Sequence, residues 1–441
     1  MTGGTWVTQN KVRPGVYINF KSARRAIGTL GERGITSLPL QLSWGPSKQI
    51  ISLEAGDDTT ELLGYPLTDP KMLLIKEAMK RAKTILLYRL NTGVKATATV
   101  APLTITAKYG GVRGNDITVS VATNIDDNTK FDVKTFVSGE EVDSQTVATI
   151  AELQANDWVV FSGTGAPAAT AGVPLTGGDD GTVTAQDHAD YQAAIEVEEF
   201  NTIGLTVTDT SLKEVYVSFI KRQRDDEGKK VQLVLENYPA ADFEGVISVK
   251  NGVVLAEGTT LTPAQSVPWV AAATAAAEVN ESLTYDAYDG AVDVYPKYTN
   301  SQIIEALKNG EFLFTANDGT AIVEDDINTF TSFTVDKNQS FSKNQVIRVL
   351  DGLANDYQRI FSAYYIGKVQ NDGDGRNSFK AECINITNQY QNIAAIQNFD
   401  PQTDIEVLPG QAIDAVVVNQ WVDPVSAIGK LYFSITVGQE G

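Results

Sequence analysis

Hydrophobic and polar positions along the chain follow two rhythms, and the rhythm changes by region. Near the start, Val16, Ile18 and Phe20 alternate with Tyr17 and Asn19, which predicts a strand over 14–20. Lys21, Arg24 and Arg25 follow, with no tight turn leading back to a partner strand. Apolar stretches at 35–42 and 49–53 predict further strands. A helix is expected from Pro70, because Asp69 suits the cap and proline suits the first helical position. Met72, Ile75, Met79 and Ala82 would form its inner face, and Lys71, Lys76, Lys80, Arg81 and Lys83 a basic exterior. The apolar run 85–88 then reads as a buried strand, and helix followed by strand is the α/β rhythm.

From residue 96 the period is two. Ile117, Val119 and Val121 alternate with polar neighbours, and Gly110-Gly111 and Gly177-Gly178 punctuate a Thr- and Val-rich stretch. This predicts a separate, mostly β insertion over 97–183, with an exposed loop at 163–181. The α/β rhythm returns near 184. A helix over 186–198 precedes a strand over 202–207. Ser211 with Glu214 suggests a capping box for a helix reaching about 226, and Gly228 closes it. A strand follows at 231–235. Asn251-Gly252 reads as a hairpin turn between 246–249 and 253–255. Thr262-Pro263 with Gln265 opens an Ala-rich helix. A short helix covers 300–308, and Asn317-Asp318-Gly319 predicts a second hairpin.

The last third is richer in helix. Ser342 with Gln345 suggests a capping box for a long helix to 366, with Val346, Leu350, Leu353, Tyr357, Ile360, Phe361 and Tyr364 on its apolar face. A second helix over 378–398 would carry Cys383 inside. Strands are expected at 405–408, 415–420 and 430–437. In the last of these Leu431, Phe433, Ile435 and Val437 alternate with Tyr432, Ser434 and Thr436.

Charge adds an asymmetry. The 441 residues hold 35 Lys+Arg and 55 Asp+Glu, a net charge of −20. Residues 1–95 have 14 basic and 7 acidic side chains, 96–330 have 13 and 36, and 331–441 have 8 and 12. An acidic middle suits a part that faces water, and milder ends suit contact with other protein. Net acidity repels phosphate, so nucleic acid is not expected as a partner. One His (His188) and one Cys (Cys383) exclude an internal disulfide and a Cys/His zinc site. The first fifteen residues lack the apolar core of a signal peptide, and the apolar stretch at 269–279 is too short to span a bilayer. The expectation is a soluble protein of a reducing cytoplasm, without membrane insertion.

The search for chemistry is negative, so no catalytic residue, cofactor or metal is assigned. Gly228-Lys229, Gly367-Lys368 and Gly429-Lys430 lack the following Ser/Thr of a Walker A loop. Gly28, Gly31 and Gly34 do not have dinucleotide-binding spacing. No GxSxG elbow occurs. His188, beside Asp187 and Asp190, reads as a solvated surface residue. The acid pairs 57-58, 126-127, 179-180, 225-226 and 325-326 read as solvated turns rather than a glycosidase pair. Asp372-Gly373-Asp374-Gly375 begins like a calcium loop, but Arg376 occupies a ligand position and Cys383 the closing one. The informative features are instead the alternating strands near the two ends. Strands without a local partner are edges, available for pairing within the chain or for donation to a neighbouring subunit.

The opening Asn10-Lys11-Val12-Arg13-Pro14-Gly15-Val16-Tyr17-Ile18 resembles the start of contractile phage tail sheath proteins. So do Tyr109-Gly110-Gly111-Val112-Arg113-Gly114-Asn115-Asp116-Ile117, Gly310-Glu311-Phe312-Leu313-Phe314 and Val323-Glu324-Asp325-Asp326-Ile327-Asn328-Thr329. The order and total length match too, and sheaths of Gram-positive myophages and of defective phage-like elements are similar.

The resemblance implies an α/β multidomain fold. A subtilisin-like α/β core (22–95 and 184–330) would carry an outward β insertion domain (97–183). An N-terminal arm (1–21) and an α+β C-terminal domain (331–441) facing the tail tube, with a terminal strand, would complete it. It implies no protease activity. It implies a structural subunit that self-assembles into a helical sheath around the tail tube protein, with baseplate and tail terminator proteins as further partners. It also implies that terminal arms donate strands, here Val16, Ile18 and Phe20 and Leu431, Phe433, Ile435 and Val437. Contraction would release energy stored in the assembly and drive the tube through the host envelope. Lys343, Arg348, Arg359 and Lys368 are candidates for facing the tube, with a solvated helix face as the alternative for them. The implied location is the virion tail sheath, with assembly in the host cytoplasm. The competing functions are a virion-associated polysaccharide- or peptidoglycan-degrading enzyme, which would need two protected carboxylates, and a secreted β adhesin, which the helical last third disfavours.

Overall fold

The computed structural model describes residues 31–437 other than Ala55, together with the short strands Gly3–Gly4 and Val16–Tyr17. At its centre is a seven-stranded sheet. Across it run Glu311–Phe312, Val246–Val249, Gln232–Glu236, Thr202–Leu205, Ile35–Leu40, Thr84–Arg89 and Ile50–Glu54. Neighbours are parallel except for the last pair, in which Ile51 faces Leu87 in an antiparallel ladder. A parallel sheet is covered on both faces by its crossover helices. Accordingly Thr202–Leu205 and Val246–Val249 are buried at every position.

The Ala-rich helix Pro263–Ala276 lies on one face, with every residue from Ser266 to Ala275 buried. Its small side chains allow a close approach. A Cβ on Gly204 would lie 2.7 Å from Leu38 Cδ2 and 3.1 Å from Ala271 Cβ. The Thr262/Gln265 capping box forms as expected. Helices Ala185–Glu196 and Thr210–Asp225 cover the other face through Tyr191, Ile195, Tyr216, Phe219 and Ile220.

His188 is buried here, not solvated. His188, Tyr191 and Ile195 form the inner stripe of their helix, while Asp187 and Asp190 turn outward to Lys48. His188 Nδ1 lies 2.8 Å from the Tyr216 hydroxyl. Two further expectations fail for local reasons. The Thr210–Asp225 helix is capped by Asp209, which accepts from Leu212 N, rather than by Ser211. Asn251-Gly252 makes no hairpin, because Val246–Val249 belongs to the main sheet and Gly252–Leu255 pairs with Ala291–Tyr295. Asn251 is buried and exchanges hydrogen bonds with both backbone groups of Phe314. The hairpin at 317–319 does form, with Phe314–Asn317 antiparallel to Thr320–Val323.

Between the strand Thr84–Arg89 and the helix Ala185–Glu196 the chain builds a β-sandwich. Four antiparallel strands (Glu140–Val147, Phe131–Val137, Ile117–Thr123, Thr170–Pro174) face three (Val159–Ser162, Leu103–Ala107, Thr97–Val100). The period-two pattern places Ile105, Ile117, Val119, Val121 and Val133 in a shared core.

The C-terminal part pairs helix Asn344–Ile360, which runs on into a π-helical turn Phe361–Tyr365, with helix Gly373–Asn392. The expected Ser342/Gln345 box is absent. Ser342 Oγ donates to Gln339 O, and Gln345 Nε2 donates to Asn280 O. The second helix begins earlier than expected. Asp372 caps it by accepting from Gly375 N, so the Asp-Gly-Asp-Gly run is a helix start. Val349, Leu353, Phe379, Cys383, Ile386 and Tyr390 form the core between the two helices. Burial pushes the Cys383 thiol up to about 12, so it is inert.

Burial lowers the His188 pKa from its ordinary 6.5, against the weaker pull of Asp187 and together with Lys48. The ring is therefore neutral in the fold, and the unfolded chain takes up its proton at higher pH. The stability it contributes is complete above pH 6.5 and declines as pH falls below that value. Chemical denaturation at pH 7.5 and 5.5 should show the gap between wild type and His188→Gln narrowing at the lower pH. An unchanged gap would contradict this reading.

Candidate assembly surfaces

Backbone groups that the chain leaves unpaired are one possible basis of recognition. After Pro424 the chain is tied to the body twice, by Val425 N to Ala395 O (2.9 Å) and by Ala427 N to Gln345 Oε1 (2.8 Å). Beyond that it is exposed. Ile428 is at the surface, and no neighbour lies within 4 Å of a Cβ built on Gly429. Leu431, Phe433, Ile435 and Val437 are 70%, 81%, 84% and 85% exposed. The segment 430–437 has strand alternation but belongs to no strand here. The described body leaves these alternating apolar side chains uncovered.

The C-terminal part also holds a small sheet, the hairpin Ile405–Pro409 with Val416–Gln420. Ile405 is buried and Val407 and Val416 pack on the helical core, while Leu408, Val417, Val418 and Trp421 remain exposed. The sheet has two strands, so both outer edges carry unpaired N–H and C=O groups among the described residues. Isolated two-stranded sheets are marginal, and additional strands stabilise them. At the N-terminal end, Val16–Tyr17 pairs in parallel with Gly3–Gly4, so this strand has a local partner that the sequence did not suggest. Ile18 and Phe20 lie outside the described residues.

The four cations expected on an inner face have different fates. Arg348 is a correction: it is 0% exposed and donates to Asp326 (2.6 Å) and Glu281 O (2.7 Å). Asp326 also accepts from Asn344 Nδ2 and from Leu283 N. Lys343 is half-exposed and holds both oxygens of Asp325 at 2.7 and 2.6 Å. Arg359 donates to Asp356 at 2.8 Å and is partly exposed. Lys368 is exposed and donates to the Ala363 carbonyl. Near it, Tyr364, Ile366, Val369 and Ile413 form an exposed apolar tip that the sequence reading did not identify.

Several of the paired acids have structural partners. Asp58 caps a helix, and Asp57 accepts from Glu54 N. Asp180 accepts from Ser43 and from Val112 N. Asp325 and Asp326 serve Lys343 and Arg348, which corrects the reading of that pair as a solvated turn. A further buried pair was not legible in the sequence. Arg224 binds both oxygens of Asp351 at 2.6 and 2.8 Å, joining the α/β body to the C-terminal helix. The Asp351 carboxylate raises the Arg224 pKa against the opposing effect of burial.

A compact body with open sheet edges and an exposed apolar tail is the form of a structural subunit. Known proteins agree. Successive stretches match family models: residues 33–90 the Gp18 tail sheath protein domain III N-terminal region, 91–180 the phage tail sheath protein beta-sandwich domain, 181–329 its central domain, and 336–438 its C-terminal domain. The phage-like element PBSX protein XkdK of Bacillus subtilis (strain 168) is 40% identical over 466 residues, covering 99% of this chain and 100% of that protein. The crystal structure of a sheath tail protein from Desulfitobacterium hafniense is 61% identical, with a TM-score of 0.88 over 94% of this chain and 97% of that one. A helical sheath of the anti-feeding prophage in its contracted state is 13% identical, with a TM-score of 0.55 over 96% and 99% of the two chains, a likeness of fold. The chain belongs to the phage tail sheath protein family.

Arg348→Ala leaves Asp326 buried without its cation and should lower unfolding stability by roughly 3–5 kcal/mol. Lys368→Ala should change it by less than about 0.5 kcal/mol. Urea denaturation of the two variants checks the contrast, and equal effects would refute it.

Proposed function

We propose that this chain builds a helical sheath around a tail tube by exchanging terminal strands between copies, and that the sheath contracts. The observation that supports this most is the segment 430–437, alternating, apolar and uncovered, in a chain whose C-terminal hairpin has both edges open. Main-chain bonds to a neighbour's sheet would satisfy the backbone of the donated strand, and one face of it would bury Leu431, Phe433, Ile435 and Val437. Val16, Ile18 and Phe20 would act likewise from the N-terminal arm. In this reading the chain divides into an arm (1–21), a subtilisin-like core (22–95 and 184–330), an outward insertion (97–183) and a tube-facing domain (331–441).

Strand pairing resists sliding but permits rotation of the body about the donated arm, so copies would stay connected while the sheath shortens. The extended sheath would be a kinetically trapped state and the contracted sheath the lower minimum. Even roughly 1–2 kcal/mol per subunit becomes a large driving force when many subunits change together. Lys343, Arg359 and Lys368 remain candidates for contact with the tube protein. Baseplate and terminator proteins would bound the sheath, which would sit in the virion tail after assembly in the host cytoplasm. Among the described residues no helix is long and apolar enough to cross a membrane.

Deletion of 430–441 should leave a folded protein, since residues 431–437 are exposed, with a melting temperature within about 2 °C of wild type. It should also abolish tubes seen by negative-stain electron microscopy at high protein concentration. Phe433→Asp should do the same. Normal tubes from either variant would exclude strand exchange through this arm.

A further inference from the structure

The chain enters the described body at Gly31, and two side chains of one groove receive it there. Gly31 N donates to Asp356 Oδ1 (2.8 Å), and Gly34 N and Ile35 N each donate to Asn201 Oδ1 (3.0 Å). Between them Arg33 is tied to the carbonyls of Thr274 and Ala277. Asp356 belongs to the C-terminal helix and Asn201 to the α/β body, so both parts hold the entry point. The groove has a volume of about 680 Å³. It runs between the end of helix Ala185–Glu196, the turn after helix Thr210–Asp225 and the last turns of helix Asn344–Ile360.

Its lining is acidic over an apolar floor. Phe200 and Val231 are buried at the base, and Val197 is 82% exposed on the wall. Glu32, Glu196, Glu199, Glu227 and Asp356 face two cations, Lys229 and Arg359. Arg222 pairs with Glu196 and Glu227, and Lys83 with Glu32. Glu199 is exposed and makes no hydrogen bond or ion pair among the described residues. Asp226 acts on Arg222, and Glu198 on Lys229, so further negative charge lies close by.

The residues that lead into Gly31 have the opposite character. Lys21-Ser22-Ala23-Arg24-Arg25-Ala26-Ile27 carries three cations and no acid. It is separated from the groove's entrance by only Gly28, Thr29 and Leu30. At about 3.3 Å per extended residue, Arg24 and Arg25 can reach roughly 20 Å from Gly31. A segment tethered so closely acts at an effective concentration on the order of millimolar, ahead of a free peptide of the same sequence.

We propose that this groove binds the chain's own basic segment, residues 21–27, and so fixes where the N-terminal arm leaves the body. Arginine suits the carboxylates, because a guanidinium offers them paired, charge-assisted bonds. Ile27 would bring an apolar side chain to Val197. The inference goes beyond strand exchange. It concerns the root of the arm, and it stands whether or not the arm's strand is donated.

Pulsed EPR on the full-length chain at low salt tests this. Spin labels go at Ser22→Cys in the segment and at Ser218→Cys, exposed on helix Thr210–Asp225 outside the groove. Cys383 is buried and stays unlabelled. The expected result is one narrow distance peak that persists in a tenfold excess of unlabelled chain. A broad distribution would overturn the proposal. A peak that disappears on dilution would put a neighbouring copy's segment in the groove and would overturn it as well. Arg24→Glu with Arg25→Glu should broaden the peak at least twofold, and so should Glu199→Lys, with the far-ultraviolet circular dichroism retained. The three substitutions together should narrow it again. A peak that ignores Glu199→Lys, or a triple variant that stays broad, would refute binding in this groove. Tube formation is scored separately, so a failure of the rooted arm is distinguishable from a failure of strand exchange.

Discussion

Buried guanidinium groups hold the parts of this molecule together. Arg89 joins the body to the sandwich through carbonyl oxygens. Arg224 joins the body to the C-terminal helix through Asp351, and Arg348 joins that helix back to Asp326. Half-buried Arg33 donates to the carbonyls of Thr274 and Ala277, where the Ala-rich helix ends and its dipole is negative. Arginine suits this role because it stays charged and offers a planar fork of five donors. The cost of burying the cation makes each junction intolerant of a missing partner. The sheet, the sandwich and the helical C-terminal part are thereby linked by hydrogen bonds from buried cations.

Those buried contacts contrast with the chain's C-terminal end. Inside the body, polar residues such as Asn251, Asn91 and Asp326 meet several partners each. At 431–437 the apolar side chains meet none of comparable extent. Fully burying side chains of this kind is worth roughly 1.5–3 kcal/mol each, before the entropy of ordering the segment is counted. Leu431, Phe433, Ile435 and Val437 thus hold apolar surface that the described body leaves uncovered.

Much of the local architecture was legible in the chain. Caps made by Asp69 and by Thr262 with Gln265 lie where the sequence places them, and the 300–308 helix has its expected bounds. The period-two stretch after residue 96 is a sandwich, and Asn317-Asp318-Gly319 turns a hairpin. Ser211 reads as a cap where Asp209, two residues earlier, is the cap, a purely local error. The other errors share one form: Asn251-Gly252 reads as a turn, and His188, Asp326 and Arg348 read as exposed. In these the residue type was compatible with the reading, and a partner farther along the chain decided otherwise. Asn251 meets Phe314, His188 meets Tyr216, and Arg348 meets Asp326.

The sequence by itself determined the period of each segment, some of the helix caps, the excess of acidic residues in the middle and the alternating apolar tail. These follow from neighbours within a few residues, where backbone geometry and side-chain periodicity act directly. The tertiary structure alone decided which charges are buried. It also decided that the two crossings to the insertion form a packed junction, and that the tail finds no cover on its own body. Those outcomes depend on contacts between residues far apart in the chain, such as Ser43 with Asp180, 137 positions away. A local pattern can name a cation or a glycine, but only the packed fold brings up the carboxylate or carbonyl that gives it a role.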